Sequence, residues 1–534
     1  MGAARVFRWA LWGLASLGAL WAAHRHDGDL WVGDEGLRWA LGLGLAHLLG
    51  LFLVERLGAL GPLLWPAGWP LPRWVQGGWR AAPPLLALGI WIGAGMEATP
   101  PPAPPARPAA SGPSILLLTL DTTRADHVLG GVVPTPALDA LAAQGRRFTQ
   151  AVTTAPLTAP AHASLLTGVD VEAHGLRANG RRVGLPTVTE RLQAAGYRTG
   201  AFLSARVLQR ATGLDAGFDH YDDRWGEGAR LGWLPGYAAA PRQAVERPGA
   251  ETVDRALRWF AEDDRPTFLW VHLYDPHAPY LPDEAPLAEA LALARAEDAA
   301  APVGQGSLGA VLRGLSSRRP AERRLLYEAE VAGLDGVVGR LLDALPPAVV
   351  VVAVADHGES LGDNDYWFNH GARLWEATVR VPMVVRWPGR VAAGEVDPRL
   401  VSVEDVAAVI AAAGVGGEAG PLVAPLDAPG RAAPVFLYTT GQEAQATVGH
   451  RRPEEAWHRG PSAAARLPGG KVMAFSGGPA VWFDLTVDGA EANPLPVPAE
   501  LAGLAAEVVA RANRPVEALT GEERELLEAL GYVE

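Results

Sequence analysis

The stretch AVVVVAVADHGE, residues 348–359, decides the fold class of this chain. Its first part is an unbroken apolar run, which is typical of a strand buried on both faces of a parallel sheet. Four chemically distinctive residues then follow at once, Asp356, His357, Gly358 and Glu359. Open α/β sheets bind their ligands at the carboxyl ends of their strands. The stretch therefore predicts an α/β fold with polar chemistry at the end of this strand.

Strand and helix patterns alternate on both sides of this stretch. Predicted strands cover 114–121, 147–153, 198–204, 266–273, 381–387 and 434–440, and predicted helices cover 135–145, 187–196, 250–263 and 320–345. This alternation predicts a doubly wound, mostly parallel sheet with helices on both faces.

The first hundred residues have a different composition. Apolar runs at 6–23, about 39–54 and about 84–96 lie near the lower limit of ~17 residues for crossing a bilayer. Basic residues precede the first run and follow the second, which predicts that everything after Met96 is extracytoplasmic. The alternative is a cleaved signal peptide followed by a buried helical hairpin.

Four segments follow from these patterns. We expect a membrane region with two to three transmembrane helices at 1–98 and a Pro/Ala linker at 99–113. A catalytic domain is expected at 114–440, and a small C-terminal subdomain with a tail helix at 441–534. The linker composition is typical of an extended tether that buries nothing.

The overall composition excludes several classes of function. A formal net charge of −13 disfavours nucleic acid as a partner, because binding to phosphate backbones needs a basic face. The chain has no cysteine, so disulfides, thiol nucleophiles and thiolate metal sites are excluded.

Two acidic strand ends and one hydroxyl suggest a metal site. Asp121 ends the strand at 114–121, and Asp356 and His357 end the strand at 348–356. Thr158 opens the helical pattern LTAPAHASLLTG at 157–168, where unpaired N–H groups and the helix dipole favour an anion. Together these groups suit one divalent metal ion: Mn²⁺, Zn²⁺, Ca²⁺ or Mg²⁺. Each residue also has an alternative role when taken singly. The Asp residues could form a turn or cap a helix, and Thr158 could be a helix N-cap.

Several motifs in order resemble the sulfatase-type branch of the alkaline phosphatase superfamily. They are LLLTLDTTRADH (116–127), TPALDALAAQGRRF (135–148), residues 157–168, VHLYDPHAPY (271–280), ADHGESLGD (355–363) and NHGARLWEATVRVPMVVRWPG (369–389). The resemblance implies that Asp121, Asp356 and His357 are metal ligands and that Thr158 is both nucleophile and ligand. It also implies that His277 and His370 hold the ester oxygens or protonate the leaving group. The weaker histidine candidates are His162, His174 and His272.

This chain departs from the sulfatase pattern at the nucleophile. Sulfatases have a Cys or Ser there and oxidise it to formylglycine, whereas the β-carbon of Thr158 carries a methyl group and cannot become that aldehyde. Thr122 replaces the second residue of the usual acidic pair, and His162 stands where an Arg is usual. The substrate-holding lysines are missing, since Lys471 is the only lysine of the chain.

These departures favour phosphate over sulfate. We expect a metal-dependent hydrolase or transferase of phosphate (di)esters at the outer face of the membrane, using Thr158. Its substrate would be an anionic ester on a lipid, a glycan or a small molecule. The alternatives are a sulfuric ester hydrolase and a catalytically silent, membrane-tethered binding protein.

Overall fold

The computed structural model describes part of the chain, namely residues 107–224, 247–278, 280, 282, 285, 320–418, 420–428, 430–431, 433–439 and 461–515. Within these ranges no helix is both long and apolar enough to cross a membrane. The predicted membrane spans at 1–98, most of the linker and the tail helix lie outside the described residues.

The described strands form three sheets. In chain order the strands are β1 (Ile115–Leu120), β2 (Arg146–Val152), β3 (Arg198–Leu203), β4 (His220–Asp222), β5 (Thr267–Leu273), β6 (Val350–Ala355), β7 (Ser360–Leu361), β8 (Trp367–Asn369), β9 (Arg380–Arg386), β10 (Glu395–Ser402), β11 (Val435–Thr439), β12 (Ser462–Leu467), β13 (Gly470–Phe475) and β14 (Ala480–Asp484).

The α-helices within the described ranges follow the predicted positions and add several more. In chain order they are α1 (Pro136–Ala143), α2 (Thr158–Thr167), α3 (Val171–His174), α4 (Val188–Ala194), α5 (Gly249–Phe260), α6 (Pro320–Ala344), α7 (Glu376–Val379), α8 (Val406–Gly414) and α9 (Ala502–Ala512).

The main sheet has eight strands in the order β10–β2–β9–β6–β1–β5–β3–β4. Strand β9 runs antiparallel to its neighbours β2 and β6, and every other neighbouring pair is parallel. The predicted α/β class with a mostly parallel sheet is confirmed.

Helices cover the main sheet in two groups. Helix α6 contacts both α1 and α5, and α2, α4 and α8 contact one another as the second group. Strands β1 and β6, at the centre of the sheet, are buried at every position. Burial on both faces explains why these two strands are continuous apolar runs in the sequence.

A smaller antiparallel sheet follows, in the order β11–β12–β13–β14, with α9 packed against it. The strand predicted at 434–440 belongs to this sheet and pairs with β12. Lys471, on β13, is fully buried and forms ion pairs with Glu376 and Glu491. Its ammonium also donates a hydrogen bond to the carbonyl of Leu374. The only lysine of the chain therefore joins this sheet to the segment around α7.

We expect Lys471→Met to lower the free energy of unfolding by about 3–5 kcal/mol, because the substitution leaves Glu491 buried without its cation, whereas Glu376 keeps Arg466 as a partner. The measurement is urea unfolding of the purified full-length chain, followed by tryptophan fluorescence. Arg340→Met is the matched control, since Arg340 pairs with Asp254 while half exposed. Its cost should stay below about 1 kcal/mol. Equal losses in the two variants would contradict this role of Lys471.

Candidate active site

The pairing of β1 with β6 brings two carboxylates together. These strands are parallel, with Leu120 opposite Ala355, so the next residues, Asp121 and Asp356, leave the sheet side by side. The backbone N–H of Asp356 donates to the carbonyl of Leu120 at 3.4 Å, which continues the pairing by one step. Both side chains are completely buried. The predicted placement at the carboxyl edge of the sheet is what the structure has.

The turn after Asp121 is strained. Thr122 has a φ of 48°, a region that β-branched residues avoid because of steric crowding. The hydroxyl of Tyr327 holds this turn, since it donates to the carbonyl of Thr122 at 2.9 Å and accepts from the N–H of Arg124 at 3.0 Å. Strain of this kind persists where the surroundings over-determine the backbone, as they do at functional sites.

Thr158 lies beside the carboxylates. Helix α2 has Leu157, not Thr158, as its N-cap, so the alternative role of Thr158 as an N-cap is wrong. The Thr158 hydroxyl instead donates to Asp121 Oδ2 at 3.3 Å, and its Oγ1 lies 3.4 Å from Nε2 of His357. The first turn of a helix carries a partial positive charge, which favours a developing alkoxide at this position.

The hydrogen bonds of His357 fix which ring nitrogen can bind a cation. Its Nδ1 lies 3.0 Å from the carbonyl of Gly358, which can only accept, so Nδ1 carries the proton. Nε2 then presents a lone pair, 3.6 Å from Asp356 Oδ2 and 4.0 Å from Asp121 Oδ1. Burial lowers the pKa of His357 well below its usual range, which keeps the ring neutral. A neutral imidazole is the form that binds metals.

This cluster fits a divalent cation. One ligand atom each from Asp121, Asp356 and His357 lies within 4.8 Å of the others. Asp121 Oδ1 and Asp356 Oδ2 are buried and make no hydrogen bond with the described residues. Burial raises the pKa of Asp121 to about 7, and burial together with the Asp121 carboxylate raises the pKa of Asp356. A cation would compensate both charges, and two carboxylates with one imidazole form a reasonable donor set for it.

His370 and His277 extend the site away from the carboxylates. The ring of His370 lies 4.4 Å from that of His357, and the ring of His277 lies 5.0 Å from that of His370. Nδ1 of His277 donates to the carbonyl of Ala278 at 2.6 Å, and Nδ1 of His370 lies 3.5 Å from Glu359 Oε1. The structure thus brings together all the site residues predicted from the sequence, and the rings of His277 and His370 lie next to the Asp121, Asp356 and His357 cluster.

Two histidines that sequence reasoning ranked low also belong here. His272 Nε2 lies 3.3 Å from Asp121 Oδ2, and His162 Nδ1 lies 3.7 Å from Asp356 Oδ2. His174, in contrast, contacts the Ser164 hydroxyl at 2.9 Å, and within the described ranges no hydrogen bond or ion pair joins it to the cluster. Glu359, which contacts His370, was given no role from the sequence. Its position in the Asp-His-Gly-Glu stretch was the signal that could have indicated one.

A model of the sulfatase family matches residues 113–415, which is more than half of the chain. The chain belongs to the sulfatase family. The matched region contains the whole candidate metal cluster, Thr158, and both His277 and His370.

Curated relatives carry sulfatase names. An ulvan-active sulfatase of Formosa agariphila is 28% identical over 284 residues, which are 48% of this chain and 52% of that protein. A choline-sulfatase of Rhizobium meliloti is 25% identical over 326 residues, which are 52% of this chain and 63% of that protein. The chain thus matches less than two thirds of the length of these relatives.

Solved structures share the fold. One is a protein in complex with its substrate D-glucosamine-2-N,6-O-disulfate, with a TM-score of 0.56 and 18% identity over 79% of this chain and 98% of the other. Another is a phosphonate monoester hydrolase of Agrobacterium radiobacter, with a TM-score of 0.53 and 22% identity over 78% of this chain and 95% of the other. At these identities the likeness establishes the fold alone.

We expect the stabilisation by Mn²⁺ to increase between pH 5 and pH 8. An aspartate ordinarily has a pKa of 3.8, and burial raises the pKa of Asp121 to about 7. The protonated Asp121 carboxyl therefore stabilises the folded state at low pH, and this contribution is lost as the pH rises through 7. A cation then replaces the proton. The measurement is the shift in melting temperature on adding Mn²⁺ at each pH.

Asp335→Asn is the control for this titration, since Asp335 is a buried carboxylate that accepts from the N–H groups of Ala137 and Leu138 in α1. Its Mn²⁺ shift should follow the parent at every pH. A shift that is constant or that shrinks toward pH 8 would contradict the assignment of Asp121 as a ligand.

Proposed function

We propose that this protein is a metal-dependent hydrolase or transferase of phosphate (di)esters in which Thr158 is the nucleophile. The position of the Thr158 hydroxyl, 3.3 Å from Asp121 Oδ2 and 3.4 Å from His357 Nε2, carries this proposal. A hydroxyl among three candidate metal ligands, at the first turn of a helix, has what an alkoxide nucleophile requires.

A divalent cation held by Asp121, Asp356 and His357 would lower the pKa of the Thr158 hydroxyl and offset the negative charge of the ester. The Thr158 hydroxyl already donates to Asp121, so its proton has an acceptor. The Thr158 oxygen then bonds to phosphorus while the bond from phosphorus to the leaving oxygen breaks.

The leaving oxygen needs a proton, and His370 would supply it as a general acid. Burial lowers the pKa of His277 well below its usual range, so the neutral ring of His277 would instead accept a proton from the water or alcohol of the second half of the reaction. The two rings lie 5.0 Å apart, so both can reach a single ester group. In the second half of the reaction, water or an alcohol attacks the phosphorus and releases Thr158. Water makes the protein a hydrolase, and an alcohol makes it a transferase.

Sulfuric ester hydrolysis is the second candidate, and the names of the curated relatives favour it over phosphate. The shared fold does not decide between the two, because solved proteins with this fold include a phosphonate monoester hydrolase. Thr158 is the feature that favours phosphate. A sulfatase at this site would have to use an unmodified threonine hydroxyl.

We expect Thr158→Ala to lower turnover by roughly three orders of magnitude or more, because it removes the atom that attacks. The full-length protein with Mn²⁺ is assayed side by side on bis(p-nitrophenyl) phosphate and p-nitrophenyl sulfate. Thr158→Ser keeps the hydroxyl and should retain measurable activity. We expect hydrolysis of the phosphate diester to exceed that of the sulfate.

Thr167→Ala is a matched control, because Thr167 ends the same helix and its hydroxyl donates to the carbonyl of Ala163. It should keep most of the activity. Faster hydrolysis of the sulfate would establish the second candidate. Activity of Thr158→Ala equal to that of the parent would remove Thr158 from both mechanisms, and absence of turnover with bound metal would favour the silent binding protein.

We also propose, from the sequence alone, that the apolar runs at 6–23, 39–54 and 84–96 anchor the protein in the membrane. The distribution of basic residues supports an extracytoplasmic catalytic domain. Alkaline carbonate should leave the expressed full-length chain in the membrane pellet, and protease added outside the cell or spheroplast should cleave it. Release by carbonate would contradict the anchor, and protection from protease would contradict the orientation.

A further inference from the structure

The register of β1 and β5 places a polar row behind Asp121. Thr119 and His272 are opposite each other in these parallel strands. Side chains two residues apart in a strand share a face, so Trp270 joins His272, and Asp121 follows Thr119. Thr119, Trp270 and His272 are all fully buried.

The hydrogen bonds of this row have a direction. Trp270 Nε1 can only donate, and it donates to Thr119 Oγ1 at 3.0 Å. Thr119 Oγ1 lies 3.0 Å from Nδ1 of His272. Among the described residues this nitrogen is the one acceptor within reach of the Thr119 hydroxyl, so the hydroxyl donates to Nδ1 and the imidazole proton of His272 is on Nε2. That nitrogen lies 3.3 Å from Asp121 Oδ2.

We propose that His272 is a positioning residue for the Asp121 carboxylate as a metal ligand. Its buried Nε2 makes no hydrogen bond with the described residues and lies 3.3 Å from Oδ2, to which it would donate once a cation holds Oδ1. Asp121 Oδ1, which makes no hydrogen bond with the described residues, is left for the cation. Carboxylate ligands in metal sites are commonly oriented by such partners, and removing them typically costs 10- to 100-fold in metal affinity. The role rests on the metal site of the proposed function.

Neighbouring side chains fix the orientation of the His272 ring. Thr119 contacts its Nδ1, and Trp270 donates to Thr119. The ring of His162 meets that of His272 edge to face at 4.8 Å and lies 5.3 Å from that of Trp270. His162 is itself fixed, because its Nδ1 donates to the carbonyl of Thr158 at 2.7 Å. His272 therefore cannot turn away from Asp121 without displacing His162, which also contacts the backbone of Thr158.

The test is the dissociation constant for Mn²⁺ of the full-length protein, measured by isothermal titration calorimetry without substrate. We expect His272→Phe, which keeps a ring but no nitrogen, to bind about 10- to 100-fold more weakly. His272→Gln places an amide donor near the position of Nε2 and should recover part of the affinity. Thr119→Val should weaken binding in the same direction, because it frees the imidazole of its partner.

His174→Phe is the matched control, since it removes another buried histidine, one that contacts Ser164 rather than the cluster. Its Mn²⁺ affinity should stay within about twofold of the parent. If His272→Phe does not fold, Thr119→Val decides the question. Parental affinity in a folded His272→Phe, or in Thr119→Val where that variant decides, would overturn the role of His272 alone. Absence of Mn²⁺ binding by the parent itself would overturn the proposed metal site as well.

Discussion

The site depends on one constraint, the parallel pairing of β1 with β6. It leaves the Asp121 and Asp356 carboxylates side by side and out of contact with water. Two like charges in a buried place are unfavourable unless something positive lies between them. The lone pair of His357 faces the same two carboxylates, and the partial positive charge of the first turn of α2 favours the Thr158 oxygen beside them. The arrangement is therefore coherent as a candidate cation site.

The nucleophile and the relatives point to different esters. The family is established, and its named relatives act on sulfate esters. Thr158 occupies the position at which the resemblance implies an oxidised Cys or Ser, and it cannot undergo that oxidation. The only lysine of the chain is buried against Glu376 and Glu491. In the proposed mechanism the imidazoles and the cation would hold the substrate in place of lysines, and this is the basis on which we favour a phosphate diester.

The sequence was sufficient to predict strands and site residues where a buried apolar run is followed directly by polar residues. Strands β1 and β6 could be predicted because apolar runs end at acids, and the ligands followed from that edge. The antiparallel direction of β9 could not be predicted, since the apolar stretch VPMVVRW has the same pattern in a parallel and in an antiparallel strand. Strand β10 escaped prediction because Pro398 and its charged residues mask an edge strand with a bulge. His272 needed the register of β1 with β5, which no local pattern encodes.

The most direct measurement is anomalous diffraction from crystals of the protein loaded with Mn²⁺ or Zn²⁺, recorded on both sides of the metal absorption edge. A metal site at this cluster predicts one peak within ligand distance, about 2.0–2.2 Å, of oxygens of Asp121 and Asp356 and of His357 Nε2. Thr158 Oγ1 should lie in the same coordination sphere. An anomalous map without a peak at this cluster, or with the metal bound elsewhere in the chain, would contradict this site.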